Sequence, residues 1–146
     1  LGMGYSGQQS TRPQTLGYGL ADSPVQCAWI VEKFWAWTDH DGDPASALTR
    51  DEMLDDVSVY WFTNTATSSA RLYWESLRDR NTDPIAVPSG ISIFPREIYR
   101  PSRRWAERRY THRRSYETLE RGGHFPAMEA PELLVADIRQ YFGHFR

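Results

Sequence analysis

The sequence predicts an α/β chain, with helices through the first half and a parallel strand pair in the second. Three observations carry that expectation. Apolar residues recur at helical spacing between Asp22 and Leu77. Two short apolar runs, Ile91 to Phe94 and about Arg114 to Leu119, flank a helix start at Pro101, and strand–helix–strand at this spacing implies a right-handed parallel crossover. A Gly122-Gly123 turn then leads into a last amphipathic pattern opening at Pro131. Such a crossover is a piece of a doubly wound sheet and closes no core by itself.

Length and composition set the outer limits. A chain of 146 residues suits one domain or part of a larger one. A hydrophobic share of 40% supports a packed interior, and six tryptophans with eight tyrosines suggest a large aromatic core or an aromatic-lined pocket. The formal charge of −2 argues against nonspecific nucleic-acid binding by the chain as a whole. Cys27 is the one cysteine, which excludes an internal disulfide framework and permits a reducing compartment, so the expected location is the cytoplasm. No run approaches the roughly 18 apolar residues of a spanning helix, and no signal peptide is visible.

Taken in order, residues 1–22 are rich in Gly, Ser, Thr, Gln and Pro and read as loop. Asp22-Ser23-Pro24 opens a helix to about Trp37, a capping side chain followed by proline where its missing N–H costs nothing. Val25, Ala28, Trp29, Ile30, Val31, Phe34, Trp35 and Trp37 make it apolar nearly all round, as in a covered helix. The acidic stretch Asp39 to Pro44 has alternating aspartates, but Pro44 stands where a calcium loop needs glycine and Arg50 where it needs the bidentate glutamate, so it reads as a solvated turn. Thr49-Arg50-Asp51-Glu52 is a capping box before a helix with Met53, Leu54, Val57, Tyr60 and Trp61 on one stripe. Thr63-Asn64-Thr65 ends it, and Ser68 or Ser69 starts the next, with Ala70, Tyr73, Trp74 and Leu77 sharing a face. A polar stretch at 79–84 follows. The last helix presents Leu133, Leu134, Ile138, Tyr141 and Phe142 as an inward stripe covering the last strand. Arg100, Arg103, Arg104, Arg108, Arg109, Arg113 and Arg114 form a basic cluster, read as a solvated helix face or, alternatively, an anion or nucleic-acid patch.

The chemistry-bearing candidates sit at the strand ends. Glycines free the backbone to turn sharply, and a turn between strand and helix presents the next side chain at the sheet edge where α/β folds bind ligands. That side chain is His124, a candidate base. Glu97 follows the other strand in Phe94-Pro95-Arg96-Glu97, so two strand ends bring an acid beside a histidine.

The stretches Gly4-Tyr5-Ser6-Gly7-Gln8-Gln9-Ser10, Arg71-Leu72-Tyr73, Phe94-Pro95-Arg96-Glu97 and Gly122-Gly123-His124-Phe125, in that order, resemble the C-terminal part of a microsomal-type epoxide hydrolase. The likeness runs over nearly the whole chain, though the family's glycine between the equivalents of Val25 and Gln26 is absent. It implies the C-terminal part of an α/β-hydrolase fold: a helical lid with the last strands and helices of a doubly wound, mostly parallel sheet. Residues 1–82 would be the lid and 83–146 the core portion. It further implies Tyr5 and Tyr73 as donors to the epoxide oxygen, His124 as base and Glu97 as its orienting acid. Trp29, Trp74 and Phe125 are the candidate substrate-pocket residues.

No cofactor and no metal is implied. The expected partners are a small lipophilic epoxide and either the N-terminal half of the enzyme or another copy of the chain, with no nucleic acid and no membrane segment. The family's nucleophilic aspartate and His-Gly-X-Pro oxyanion loop do not occur here, and Leu1-Gly2-Met3-Gly4 is not an initiator start, so the expectation is a fragment or one of two pieces. A catalytically inactive hydrolase-like binding protein and an arginine-based anion module stay open as alternatives.

Overall fold

The computed structural model describes residues 2–77 and 81–145. Residues 79 and 80 of the polar stretch lie outside the described residues. The chain divides into two compact units, Leu1–Lys33 with Arg50–Asn81, and Phe34–Thr49 with Thr82–Arg146.

The first unit is helical. Helices α1 (Gly4–Thr11) and α2 (Pro13–Leu20) occupy the stretch expected to be loop. Two physical causes override the composition. Pro13 takes the first helical position, where its missing N–H is no loss. Small residues also let these helices approach α5 (Ala66–Ser76), and a Cβ on Gly17 would overlap Thr67. Loop-forming residues here serve close helix packing.

Ser23 accepts the Val25 N–H at 3.2 Å and α3 runs unbroken over Val25–Trp37, its last four residues belonging to the second unit. Helix α4 (Arg50–Thr63) begins just after Thr49 and ends before Asn64, whose φ of 52° turns the chain at once. That immediate turn lets α5 start at Ala66, earlier than expected. Ser68 and Ser69 lie inside it, their hydroxyls donating back to the Thr65 and Ala66 carbonyls at 3.1 and 3.0 Å. Met53, Val57, Ala66 and Ala70 are buried, whereas Leu54 and Trp61 are exposed, so the inward stripe of α4 is narrower than its spacing predicts.

In the second unit, β1 (Ser89–Ile93) and β2 (Arg113–Thr118) pair in parallel, with Ile91 opposite Tyr116 and Ile93 opposite Thr118. The crossover carries α6 (Arg103–Arg109). Its end is tied back by Ile85 N–H to Arg109 O at 2.7 Å. Helices α7 (Pro126–Glu129) and α8 (Pro131–Gly143) follow β2. Helix α8 meets β1: Ser92 donates to Asp137, and a Cβ on Gly90 would stand 2.7 Å from the Tyr141 ring. Those two contacts fix its rotation and leave Ile138 and Phe142 of the predicted inward stripe exposed. In the arginine cluster, Arg103 and Arg113 pair with Glu107, and Arg108 lies 4.9 Å from the ring centre of the exposed Trp105. No described helix is long and apolar enough to cross a membrane.

Candidate active site

Strand ends place the acid and the histidine. After β1, Phe94 is buried and the chain turns through Glu97 N–H to Phe94 O at 3.2 Å. After β2, Arg96 N–H reaches Gly122 O at 3.0 Å, joining the two loops at the C-terminal edge of the pair. There His124 Nδ1 and Glu97 Oε1 are 2.8 Å apart. Glu97 also accepts the Ile98 N–H at 2.7 Å. A carboxylate only accepts, so in the neutral ring Nδ1 carries the proton and Nε2 has the lone pair. The imidazole is about a third exposed and packs edge-on against Trp37 and Phe125, each with ring centres 5.1 Å away.

The turn under His124 is held at four successive backbone amides. Gly122 N–H donates to Asp39 Oδ2 (2.8 Å), Gly123 N–H to Glu129 Oε2 (3.0 Å), His124 N–H to Trp37 O (2.8 Å) and Phe125 N–H to Glu129 Oε1 (2.9 Å). Glu129 Oε2 accepts the Asp39 N–H as well, at 2.6 Å. Gly122 has φ 110°, and a Cβ on Gly123 would overlap the Trp37 carbonyl oxygen. Both glycines are therefore required, one by conformation and one by space. Fixing a backbone residue costs about 1–2 kcal/mol. Hydrogen bonds to charged groups contribute roughly 1.5–3 kcal/mol each, and three of the four run to carboxylates, so the bonds win and the turn is ordered.

These contacts correct the reading of Asp39 to Pro44 as merely solvated. Asp39 leaves the end of α3 to bind the glycine turn and pairs with Arg96 at 3.4 Å, while Asp43 caps Ala45 N–H at 2.9 Å. Among the described residues no three His, Cys, Asp or Glu side chains are grouped to hold a metal.

The tyrosines lie in the first unit. Tyr5 on α1 and Tyr73 on α5 meet edge to face with ring centres 5.9 Å apart. Burial pushes the Tyr5 phenol above its usual pKa, helped by the nearby Tyr73 and a hydrogen bond to it. Tyr60 on α4 is raised too, by burial and then by Asp56 and Tyr73. Lys33 Nζ stands 4.8 Å from the ring centres of both Tyr5 and Trp29.

The structure thus joins Glu97 to His124 and Tyr5 to Tyr73. Trp29 is half-buried beneath Lys33, Trp74 is 37% exposed on α5, and Phe125 packs on Phe34 at 5.1 Å. Sequence reasoning missed Glu129, Asp39, Trp37 and Lys33 as parts of these clusters. For Glu129 a local signal existed: a carboxylate in the first turn after the histidine reaches back to exposed amides.

No protein-family profile matches the chain. Individual proteins do. It is 51% identical over 147 residues to a candidate epoxide hydrolase of Stigmatella aurantiaca, covering 99% of this chain and 33% of that protein. With epoxide hydrolase 1 of Sus scrofa it shares 40% identity, over 96% of this chain and 34% of the relative. The crystal structure of juvenile hormone epoxide hydrolase from Bombyx mori superposes with a TM-score of 0.91 at 34% identity, covering 99% of this chain and 40% of that one. The chain is homologous to the C-terminal part of epoxide hydrolases with the α/β-hydrolase fold. It spans about a third of the length of the curated relatives it matches. A helix-rich chain with a small parallel sheet is consistent with that part of the fold.

Proposed function

We propose that this chain supplies the base, its orienting acid and the epoxide-oxygen donors of an epoxide hydrolase. The observation that carries the reading is the 2.8 Å bond between His124 Nδ1 and Glu97 Oε1 at two parallel strand ends. In this reading residues 1–82 form the lid and 83–146 the C-terminal portion of the core. The nucleophilic aspartate and the oxyanion loop are supplied from outside these residues.

The reaction divides into two steps. The aspartate carboxylate attacks a ring carbon, the C–O bond breaks, and the oxygen that takes the electron pair is stabilised by hydrogen bonds from Tyr5 and Tyr73, one of which gives it a proton and is left as the phenolate. Burial raises the Tyr5 phenol, which favours the protonated form that a donor needs. The resulting alkyl-enzyme ester is then split. His124 Nε2 takes a proton from water and the hydroxide adds to the ester carbonyl. The C–O bond to the alkyl group breaks, the added hydroxyl's proton passes to the leaving alkoxide to give the diol and restore the carboxylate, and the proton held on His124 returns to the tyrosine phenolate through solvent. Glu97 fixes the ring and stabilises the imidazolium. The aromatic side chains of Trp29, Trp74 and Phe125 favour a lipophilic epoxide.

The test joins this chain to the preceding part of the Stigmatella aurantiaca relative and assays diol formation from a styrene-type epoxide. Turnover lost on His124→Ala supports the reading, and turnover that survives that change rejects it.

A further inference from the structure

Two features of the His124 turn stand apart from the proposed chemistry: four amides in a row are captured, and one carboxylate takes two of them while also holding the Asp39 N–H. Glu129 takes no part in that mechanism, yet it ties three chain positions, Asp39, Gly123 and Phe125, to one point. Gly123 and Phe125 are the neighbours of His124 on either side. Glu97, by contrast, holds the imidazole only at its ring nitrogen. A ring anchored at Nδ1 alone still swings with its backbone, and the position of Nε2 follows both anchors. We propose that Glu129 is a positioning residue for the base. It holds the His124 backbone so that Nε2 meets the attacking water, with Asp39 as its partner on the Gly122 side. The inference rests on His124 being the base of ester hydrolysis.

The chemistry of the two oxygens makes this specific. Oε1 accepts one amide and Oε2 accepts two, so all three donors need an acceptor on both arms of the group. A glutamine presents one acceptor and one NH₂, and the NH₂ would face an amide N–H in either orientation. Glu129→Gln therefore keeps the volume and breaks the cradle. Misplacing a catalytic group by about 1 Å costs up to roughly 10²-fold. The loss must fall on the step that uses His124 and spare the step that uses the tyrosines.

The experiment follows ester formation and decay separately, by rapid quench and intact mass, in the joined enzyme with a styrene-type epoxide. Glu129→Gln is expected to slow ester decay by about 10–100-fold and to change ester formation by less than about threefold. Glu129→Asp, which keeps both oxygens, should recover part of the decay rate. Asp39→Asn, which leaves Glu129 in place, should slow decay by a smaller factor and serves if Glu129→Gln fails to fold. Equal slowing of both phases, or decay at the parent rate in Glu129→Gln and Asp39→Asn, overturns the positioning role. If His124→Gln also shows parent decay, the base assignment itself falls. Normal decay in the Glu129 variants beside stalled decay in His124→Gln removes only the inference drawn here.

Discussion

The two clusters, one in each unit, are held by opposite means. In the second, His124 is fixed by directed bonds: four backbone amides in a row and a carboxylate on its ring. In the first, Tyr5 and Tyr73 are brought together by the packing of α1 against α5, ring edge to ring face, with a phenol-to-phenol hydrogen bond. Directed bonds fail when single atoms change. Ring packing survives the loss of a hydroxyl, so the tyrosine cluster can lose its chemistry and keep its shape. That difference predicts how each will respond to substitution in the joined enzyme.

The largest effect is expected at Glu97. Glu97→Gln leaves the size of the side chain but removes the negative charge that selects the Nδ1–H tautomer, and turnover should fall by about 10³–10⁴-fold. A loss under tenfold would say that the backbone cradle alone orients the ring. Next is Tyr73→Phe, which deletes one donor and should slow ester formation by roughly 10²-fold while ester decay and the melting midpoint stay near parent values. A large fall in the midpoint would break the comparison by showing that the hydroxyl is structural.

Gly123→Ala acts on the other cluster and should show the reverse pattern, because its methyl overlaps the Trp37 carbonyl. It should destabilise by about 1–3 kcal/mol in a denaturant melt as well as slow ester decay. The smallest effect is at Asp56, beside Tyr60. Burial raises its pKa above 3.8. The fold therefore favours its protonated form, a contribution present below that value and lost as pH rises through the folded pKa. Asp56→Asn should raise the melting midpoint at pH 7 slightly and leave it unchanged below about pH 3.8. The opposite sign would mean that the charge, rather than its burial, is what the first unit uses.

The same contrast explains what was legible in the sequence. Glu97 follows β1 within four residues and His124 follows β2 through the Gly122-Gly123 turn, so the two strand ends place both at one sheet edge. The parallel pair and the helix starts after Ser23-Pro24 and at Pro131 follow from local chemistry in the same way. Tyr5 was harder, because its segment reads as loop: Gly17 looks like a turn former until Thr67 of α5 lies against it. Asp39 was not seen, because nothing local shows that the end of α3 runs beside the histidine turn: its partners lie 83 residues away at Gly122 and 90 away at Glu129. Glu129 was missed although its place in the first turn after His124 was a local signal. The rotation of α8 was likewise set in part by the bond from Ser92 to Asp137, which no stripe of apolar spacing contains.

The central claim is that His124 acts on an ester that the tyrosines help to form, and the mass of the enzyme tests it most directly. The joined enzyme carrying His124→Gln is mixed with a styrene-type epoxide and its intact mass read over time. The account predicts that the protein gains the mass of one epoxide and holds it, with diol stalled near one equivalent per enzyme. Continuous diol release from His124→Gln without a lasting adduct would contradict it.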